Sequence, residues 1–580
     1  MNSYFPDLAT SLACYAFMAA AYYGWGGFLV RLLKIEGSRS NAFFQLTWIG
    51  WCSSILVLQI GHFFVPIDRF SSGIFFFVGI VFCITSLVRN PPRILPGVRT
   101  IAFVGVLAVL TVWVASWAML PPANYDSGLY HFNTIRWLNE YPLVPGLGNL
   151  HGRLAYNQSF FTYAASVNFY PLFPHGHNVA NSFLLLLFLA ECLHALFVSS
   201  EEEPGGKGGS SAILFFPLCM LPVLAFLVVS YNLSSPTPDV AASVLSLVLF
   251  YYFARHVALR MSDAAASSLP IILILSATAV TIKLNLLVYA SVVSILSIIF
   301  VWHALMKKWK SDGYRRHVLY LFPCLILAVW ILRGLILSGY PAYPLPVARL
   351  PVDWAVPAEK ATNEMNWVKS WARMEFHPPE EVLASWDWFW PWFDNIRGKV
   401  VEIIYPCCAA VAAAFLGAVL SFLIPSSKRA GKPDHTLWLL SAPPILGLAF
   451  WFFTVPQPRF ATAFFFLLPV STAYPLLQLA RFRWKFANLA LMLALFLSIH
   501  AILLDWLVER SPVFEIFPDL GYASATVAPL VEKKTASGLS VWVPASGDQC
   551  WDSPLPSTPY LDPRLRMRGD SIRSGFAIGE

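Results

Sequence analysis

The 580-residue sequence predicts an all-α polytopic membrane protein of about fourteen transmembrane helices (about 12–14), with outer loops and a small C-terminal α/β appendage. Three observations predict this class. Hydrophobic residues make up 57% of the chain and charged residues 12%, against roughly 25% charged in ordinary soluble domains. Windows such as Ile101 to Leu120, Ala212 to Val229 and Val401 to Ile424 carry almost no charge and approach the roughly 20 residues that cross hydrocarbon as a helix. Basic residues, finally, crowd the short loops on one side of the expected spans.

In chain order the first spans are expected near 10–30, 42–66, 72–88 and 100–120, followed by 179–199, 212–230, 240–254, 269–282, 286–306 and 317–336. The last fall near 401–424, 436–454, 460–478 and 486–506. Met1 to Thr10 lacks a basic n-region and a cleavage pattern, so the first span is expected to serve as the insertion signal. Pro270 to Phe300 is long enough for one helix, but Lys283 and Asn285 interrupt it. Two short spans meeting at Lys283 keep the Lys307 to Arg316 cluster on the same side as the other basic loops.

Arg31, Lys34 and Arg39, then Arg89, Arg93 and Arg99, Lys428 to Lys432, and Arg481 to Lys485 share that side, with Glu201-Glu202-Glu203 a local exception. The opposite short loops hold Arg69, Lys283 and Arg459. By the positive-inside rule the basic side is cytoplasmic, which puts both termini outside. It also puts every polar, Pro-rich loop outside: 121–178, Tyr231 to Asp239, the Lys283 break, 337–400 and Val455 to Phe460. Transporters instead place polar residues near mid-membrane and reach them from both sides. The chain divides into a membrane domain over 1–506, whose large outer loops are 121–178 and 337–400, and an outer C-terminal segment over 507–580.

Eight of the nine cysteines lie in or beside spans and Cys550 lies in an outer segment expected to be exposed, so no disulfide framework or zinc spacing emerges. There is no P-loop, no GxGxxG in a strand-turn-helix setting and no GxSxG. Gly205-Gly206-Lys207-Gly208-Gly209 reads as a flexible linker. Soluble nucleotide and serine-hydrolase chemistry are therefore not indicated.

Asp126, in Asn124-Tyr125-Asp126-Ser127-Gly128-Leu129-Tyr130-His131, stands just past a span and opens the longest polar stretch of the first half. An ionisable group beside a bilayer core is a functional candidate, although Asp126 is equally placed to cap a helix. Ser127 to Tyr141 is expected to be helical, with Tyr130, Thr134, Trp137 or Leu138 and Tyr141 on a face suited to the membrane interface.

With these residues the chain resembles the GT-C superfamily of polytopic glycosyltransferases, in which an acid in the first large outer loop, shortly after a span, is catalytic. Val144 to Asn157 together with Tyr125 to His131 is also similar to a group of bacterial membrane proteins associated with that superfamily. The resemblance covers the membrane portion to Arg459 and rests on one acid at the right topological place, since the superfamily's paired acids (Glu/Asp-x-Asp) are absent here. It implies a polyprenyl-phosphate-linked sugar donor, a lipid or glycan acceptor, and a cell-envelope enzyme of the bacterial inner membrane acting on the outer (periplasmic) side. Membrane lipids are the other partners and nucleic acid is not one. No cofactor is indicated, and the metal requirement stays open.

Transfer from a lipid phosphate needs a base for the acceptor hydroxyl and cations for the leaving phosphate. Asp126 is the base candidate, with His131 as the nearest alternative. Lys283, Arg459, Arg136 and Arg333 are the phosphate candidates, each a cation at the outer end of a span or in an outer loop. Asp239, after Ser235-Pro236-Thr237-Pro238, is expected to cap the next span and is a further site candidate. Each cation has a bland counterpart in snorkelling or interfacial anchoring.

His175-Gly176-His177 has no neighbouring carboxylate and reads as exposed polar residues rather than metal ligands. The tryptophans of 337–400, among them Trp354, Trp367, Trp371, Trp386, Trp388, Trp390 and Trp392, fit an interfacial belt better than sugar stacking. Asp353, Glu364 and Asp387 in that loop are candidates for a second acid. Gly538 to Pro544 predicts a strand, and the tail from Asp562 is expected to be loosely ordered. Two other readings compete: an enzyme of the O-antigen polymerase or ligase type, using outer-loop arginines, and a lipid-linked oligosaccharide flippase or other transporter.

Overall fold

A computed structural model describes residues 3–32, 42–89, 97–198, 233–258, 263–311, 317–399, 434–480 and 527–579, with isolated positions in 216–228, 403–411 and 521–522. Helices dominate it. They are α1 (Tyr4–Leu32), α2 (Ala42–His62), α3 (Arg69–Arg89), α4 (Val98–Ala118), α5 (Phe132–Glu140), α6 (Phe160–Val167) and α7 (Gly176–Phe197). After the sparsely described 216–228 come α8 (Pro238–Ala258), α9 (Asp263–Ile282), α10 (Leu287–Ser311) and α11 (His317–Ser338). The outer loop holds α12 (Ala358–Arg373), α13 (Pro379–Val382) and α14 (Phe389–Arg397), and α15 (Ala442–Thr454) and α16 (Thr462–Ala480) follow.

Among the described residues eight helices are long and apolar enough to cross a membrane, which makes an integral membrane protein of this chain. The 29-residue α1 is not among them. The expected spans at 401–424 and 486–506 fall almost wholly outside the described residues, and 212–230 falls there in part.

The break at Lys283 is present. The backbone of Lys283 is extended (φ −157°, ψ 125°) and parts α9 from a short 3-10 turn, Leu284–Leu286, that leads into α10. Because α9 and α10 pack against each other, the chain reverses there. Pro121 and Pro122 end α4 in the same way that Pro456 and Pro458 keep α15 from running into α16, since proline supplies no amide to a helix.

Hydrogen bonds fix which helix ends share one side. Asn178 donates to the Ala118 carbonyl, the amide of Leu143 to His62, that of Arg69 to Tyr170 and that of Gly146 to Ile336. Arg373 donates to Thr454, and Asn285 to Phe460. The loops 121–178, 233–239, 337–399 and 455–460 therefore gather at one end of the bundle, together with the Lys283 break. The start of α1 is there too, its Tyr4 hydroxyl 2.9 Å from Ser116 Oγ.

The largest core lies among the helices, around buried Trp48, Trp51, Tyr163, Tyr251 and Tyr289. A second core forms at the loop end from Trp137, Leu147, Leu337, Tyr340, Val541, Leu565 and Phe576. It unites three distant stretches of sequence.

The appendage contains two antiparallel ribbons, β1 (Leu530–Lys534) with β2 (Ser540–Pro544), and β3 (Leu565–Met567) with β4 (Phe576–Ile578). The strand expected at Gly538 to Pro544 is β2. The tail from Asp562 is not loose: the amide of Phe576 donates to the Pro145 carbonyl and its ring is buried in the second core. Cys550 is likewise buried rather than exposed. Both corrections have one cause, because the appendage borrows its core from loops 121–178 and 337–399.

Candidate functional site

Asn124 performs the turn that Asp126 was expected to make: its Oδ1 accepts the Asp126 amide at 2.9 Å, and its carbonyl accepts the Ser127 amide. Asp126 occupies the cap position of the next turn but its carboxylate makes no capping bond. That turn, Ser127–His131, is π-helical, with an extra residue per turn, before α5 begins. Such bulges recur where a side chain is re-aimed. The expected helix is thus present, with an altered first turn.

The freed carboxylate joins an ion network. Asp126 Oδ2 accepts from an Arg459 terminal nitrogen at 2.9 Å and Oδ1 from Arg153 at 3.2 Å. Arg459 Nε lies 3.6 Å from Asp239 Oδ2, and the other Asp239 oxygen pairs with Lys283 Nζ. Arg153 Nε lies 3.7 Å from Glu364, which also accepts from the Tyr156 hydroxyl. Phe460 floors the cationic side, its ring centre 3.5 Å from Lys283 Nζ and 5.1 Å from Arg459 Cζ.

Local sequence explains each position. Pro458 opens a 3-10 turn that presents Arg459. Asp239 lies in the first turn of α8, where the helix dipole favours an acid, but it is not the cap. Thr237 takes that part, its Oγ1 accepting the Asp239 amide at 3.3 Å, and Pro238 fills the first helical position, which needs no donor. Asn181 holds this entry by donating to the carbonyls of Ser235 and Thr237 at 3.0 and 2.9 Å.

Burial pushes the Asp126 carboxyl up, but its surroundings, Arg459 foremost with His131 and Arg153 after it, outweigh burial and hold it below the ordinary aspartate value. It is ionised at neutral pH. Arg153 and Arg459 are raised despite burial by their acidic neighbours. His131 is enclosed, its Nδ1 without a hydrogen-bond partner among the described residues, and burial lowers it to about 4. At neutral pH the ring is uncharged.

Four of the seven expected site residues therefore meet in one network: Asp126, Asp239, Lys283 and Arg459. His131 stands beside it. Arg136 does not join, because it binds Glu140 at 2.7 Å and the carbonyl of Asp552 in the appendage at 2.7 Å. Arg333 does not join either; it is buried in α11 against His62. Of the acids in loop 337–400, Glu364 enters the network, whereas Asp353 pairs with Arg568 and Asp387 with Ser385.

The aromatic face of α5 is also corrected. Tyr130, Trp137 and Leu138 are buried inside the protein and do not meet lipid. Trp388 and Trp392 pack with Phe389 and Phe452, Arg373 lying over Trp388 at 4.8 Å, while Trp386 and Trp390 are exposed. His175 stacks on Tyr522 with ring centres 4.5 Å apart. No group of three or more metal-ligating side chains occurs among the described residues.

The model of a family described as a domain of unknown function matches residues 9–466, more than half of the chain. The chain belongs to the DUF8201 family. The DUF8201 match spans every residue of the ion network and stops before the described part of the appendage, whose Arg568 and Trp551 nonetheless bind back onto it. No curated protein and no solved structure matches the chain.

Arg153 is the charged member that sequence reasoning missed. Arg153 was visible only as the end of the Gly146 to Arg153 loop, and Glu364 as one of three acids without a rank. A further polar cluster was missed entirely. Inside the helices Glu191 accepts from Trp48 Nε1 at 2.9 Å and from the Tyr252 hydroxyl at 2.7 Å, one turn from Arg255 on α8. In sequence, Glu191 is a single acid within a run of leucines.

Proposed function

We propose that this protein is a membrane glycosyltransferase that moves a sugar from a polyprenyl-phosphate-linked donor to a lipid or glycan acceptor. In this reading the chain has about fourteen spans, and the network end of the bundle faces the outer side of a bacterial inner membrane. The observation that carries the reading is the Asp126 carboxylate, freed from capping by Asn124 and held ionised between Arg153 and Arg459 beside a second acid-cation pair.

The parts suit the reaction. Among the described residues three cations and three carboxylates balance in the network, and the cavity between Asp239, Lys283 and Arg459 is about 10 Å³, room for about one water. A donor phosphate therefore binds by replacing a carboxylate on Arg459 and Lys283. That exchange withdraws the main cation from Asp126, which raises its basicity when the acceptor hydroxyl has to lose its proton. Arg459 and Lys283 then stabilise the charge that develops on the departing phosphate.

The test is transfer of radiolabelled sugar from a polyprenyl-phosphate donor pool in membranes carrying Asp126→Asn. Loss of about 10²-fold or more at normal protein level is expected for a general base. Wild-type transfer by this variant, with the protein present at normal level, refutes the role.

The Glu191 cluster favours one second reading, a transporter of lipid-linked saccharides, because it gives the helices a second buried charge site away from the Asp126 network. Glu191→Gln separates the two. A transferase keeps its transfer rate in detergent, where no membrane is left to cross, and loses it only if the fold is lost.

A further inference from the structure

A second cavity lies on the far side of Arg153, and its lining carries charge of one sign. It measures about 30 Å³, room for about two water-sized occupants. Arg153 and Arg333 line it, and no aspartate or glutamate does. Arg153 is neutralised by Asp126 and Glu364. Arg333 has no such partner among the described residues. It is 3% exposed, and its one hydrogen bond joins a terminal nitrogen to His62 Nδ1 at 2.9 Å. His62 Nε2 faces the Tyr141 carbonyl at 3.0 Å, so the ring is the neutral tautomer that donates to Tyr141 and accepts from Arg333.

Three donors at this cavity are buried and unmade: Arg333 Nε, Trp137 Nε1 and Gln59 Nε2. A buried cation without counter-charge is strongly disfavoured, and each unmade donor adds its own desolvation cost. Water would satisfy the donors and leave the charge uncompensated. One anion answers both.

We propose that this cavity binds a small inorganic anion of halide size, held by Arg333, Trp137 and Gln59. A tetrahedral oxyanion needs more room than two waters occupy. Gln158, whose Oε1 is a buried acceptor without a partner at the same cavity, accepts from a water retained beside the ion. The anion-binding donors take no part in sugar transfer; Arg153 and Tyr156 are common to the cavity lining and the Asp126 network.

The experiment is thermal melting of the full-length protein in nanodiscs, with sodium chloride or bromide titrated against sodium gluconate at fixed ionic strength. Saturable stabilisation by both halides and none by gluconate is expected. Trp137→Phe keeps the ring and removes one donor, so its half-saturating halide concentration rises about tenfold, as the loss of a hydrogen bond to a charge implies. Arg333→Gln abolishes the response. Should Arg333→Gln fail to fold, Trp137→Phe and Gln59→Leu carry the test. Identical melting in halide and gluconate overturns the proposal, as does stabilisation by phosphate but not halide, or a wild-type halide response in Trp137→Phe.

Discussion

Asp126 precedes the π-helical turn that ends at His131, and the two are tuned by different causes. Arginine charge keeps Asp126 ionised, whereas burial keeps His131 neutral, at about 4 against an ordinary 6.5. The unfolded chain therefore binds the His131 proton more readily than the folded one. Stability from this group is complete above about pH 6.5 and is lost as pH falls toward about 4, a swing of about 3 kcal/mol. His151, lowered to about 3 by burial, acts in the same direction. Melting temperature between pH 7.5 and 4.5 should therefore fall steeply in the wild type and less steeply in His131→Asn; equal slopes contradict the assignment. Sequence made Asp126, Asp239, Lys283 and Arg459 legible because each is an isolated charge against apolar spans. Arg153 was not legible, and Glu364 only as one of three candidate acids, since in loops already rich in polar residues a charge stands out from nothing.

The next scale is the junction of elements, where Asp239 and Lys283 tie the start of α8 to the break after α9. Their side chains are 4% and 13% exposed, and removing one member of so buried a pair strands the other charge at a cost of about 3–5 kcal/mol. The two losses are unequal here. Lys283→Met leaves Asp239 with Arg459 at 3.6 Å, while Asp239→Ala leaves Lys283 over the Phe460 ring with no ion-pair partner in contact among the described residues. Asp239→Ala should therefore lower the melting temperature more than Lys283→Met, and the double variant should be less destabilised than the two losses summed. Additive losses would show that the pair is not coupled. The break itself was legible, because a lysine and an asparagine interrupt an apolar run and charge parity favours two spans over one long helix. The ordered tail was not. Its strands β3 and β4 are three residues each and are held by Trp137, Leu147 and the Pro145 carbonyl, more than four hundred positions away.

For the whole molecule, the gathering of loops 121–178, 233–239, 337–399 and 455–460 at one end turns orientation into a single question. The appendage is bound to that end: the Trp551 amide donates to Gly128 at 2.8 Å, and a Cβ on Gly128 would come within 2.6 Å of the Trp551 ring. Any mark on the appendage thus reports the side on which the Asp126 network lies. Glu532 on β1 is exposed, and Cys550, the appendage's own cysteine, is buried. Leu32, at the last turn of α1, is exposed at the opposite end of the bundle from the Tyr4 contact with Ser116. With the network on the outer side, Glu532→Cys reacts with a membrane-impermeant maleimide in spheroplasts above the wild-type background, and Leu32→Cys reacts only after permeabilisation. The reverse pattern puts the network in the cytoplasm. For the proposed transferase, an outward network would exclude sugar nucleotides as direct donors, because those are confined to the cytoplasm, and would call for a donor whose sugar has already crossed on a lipid carrier.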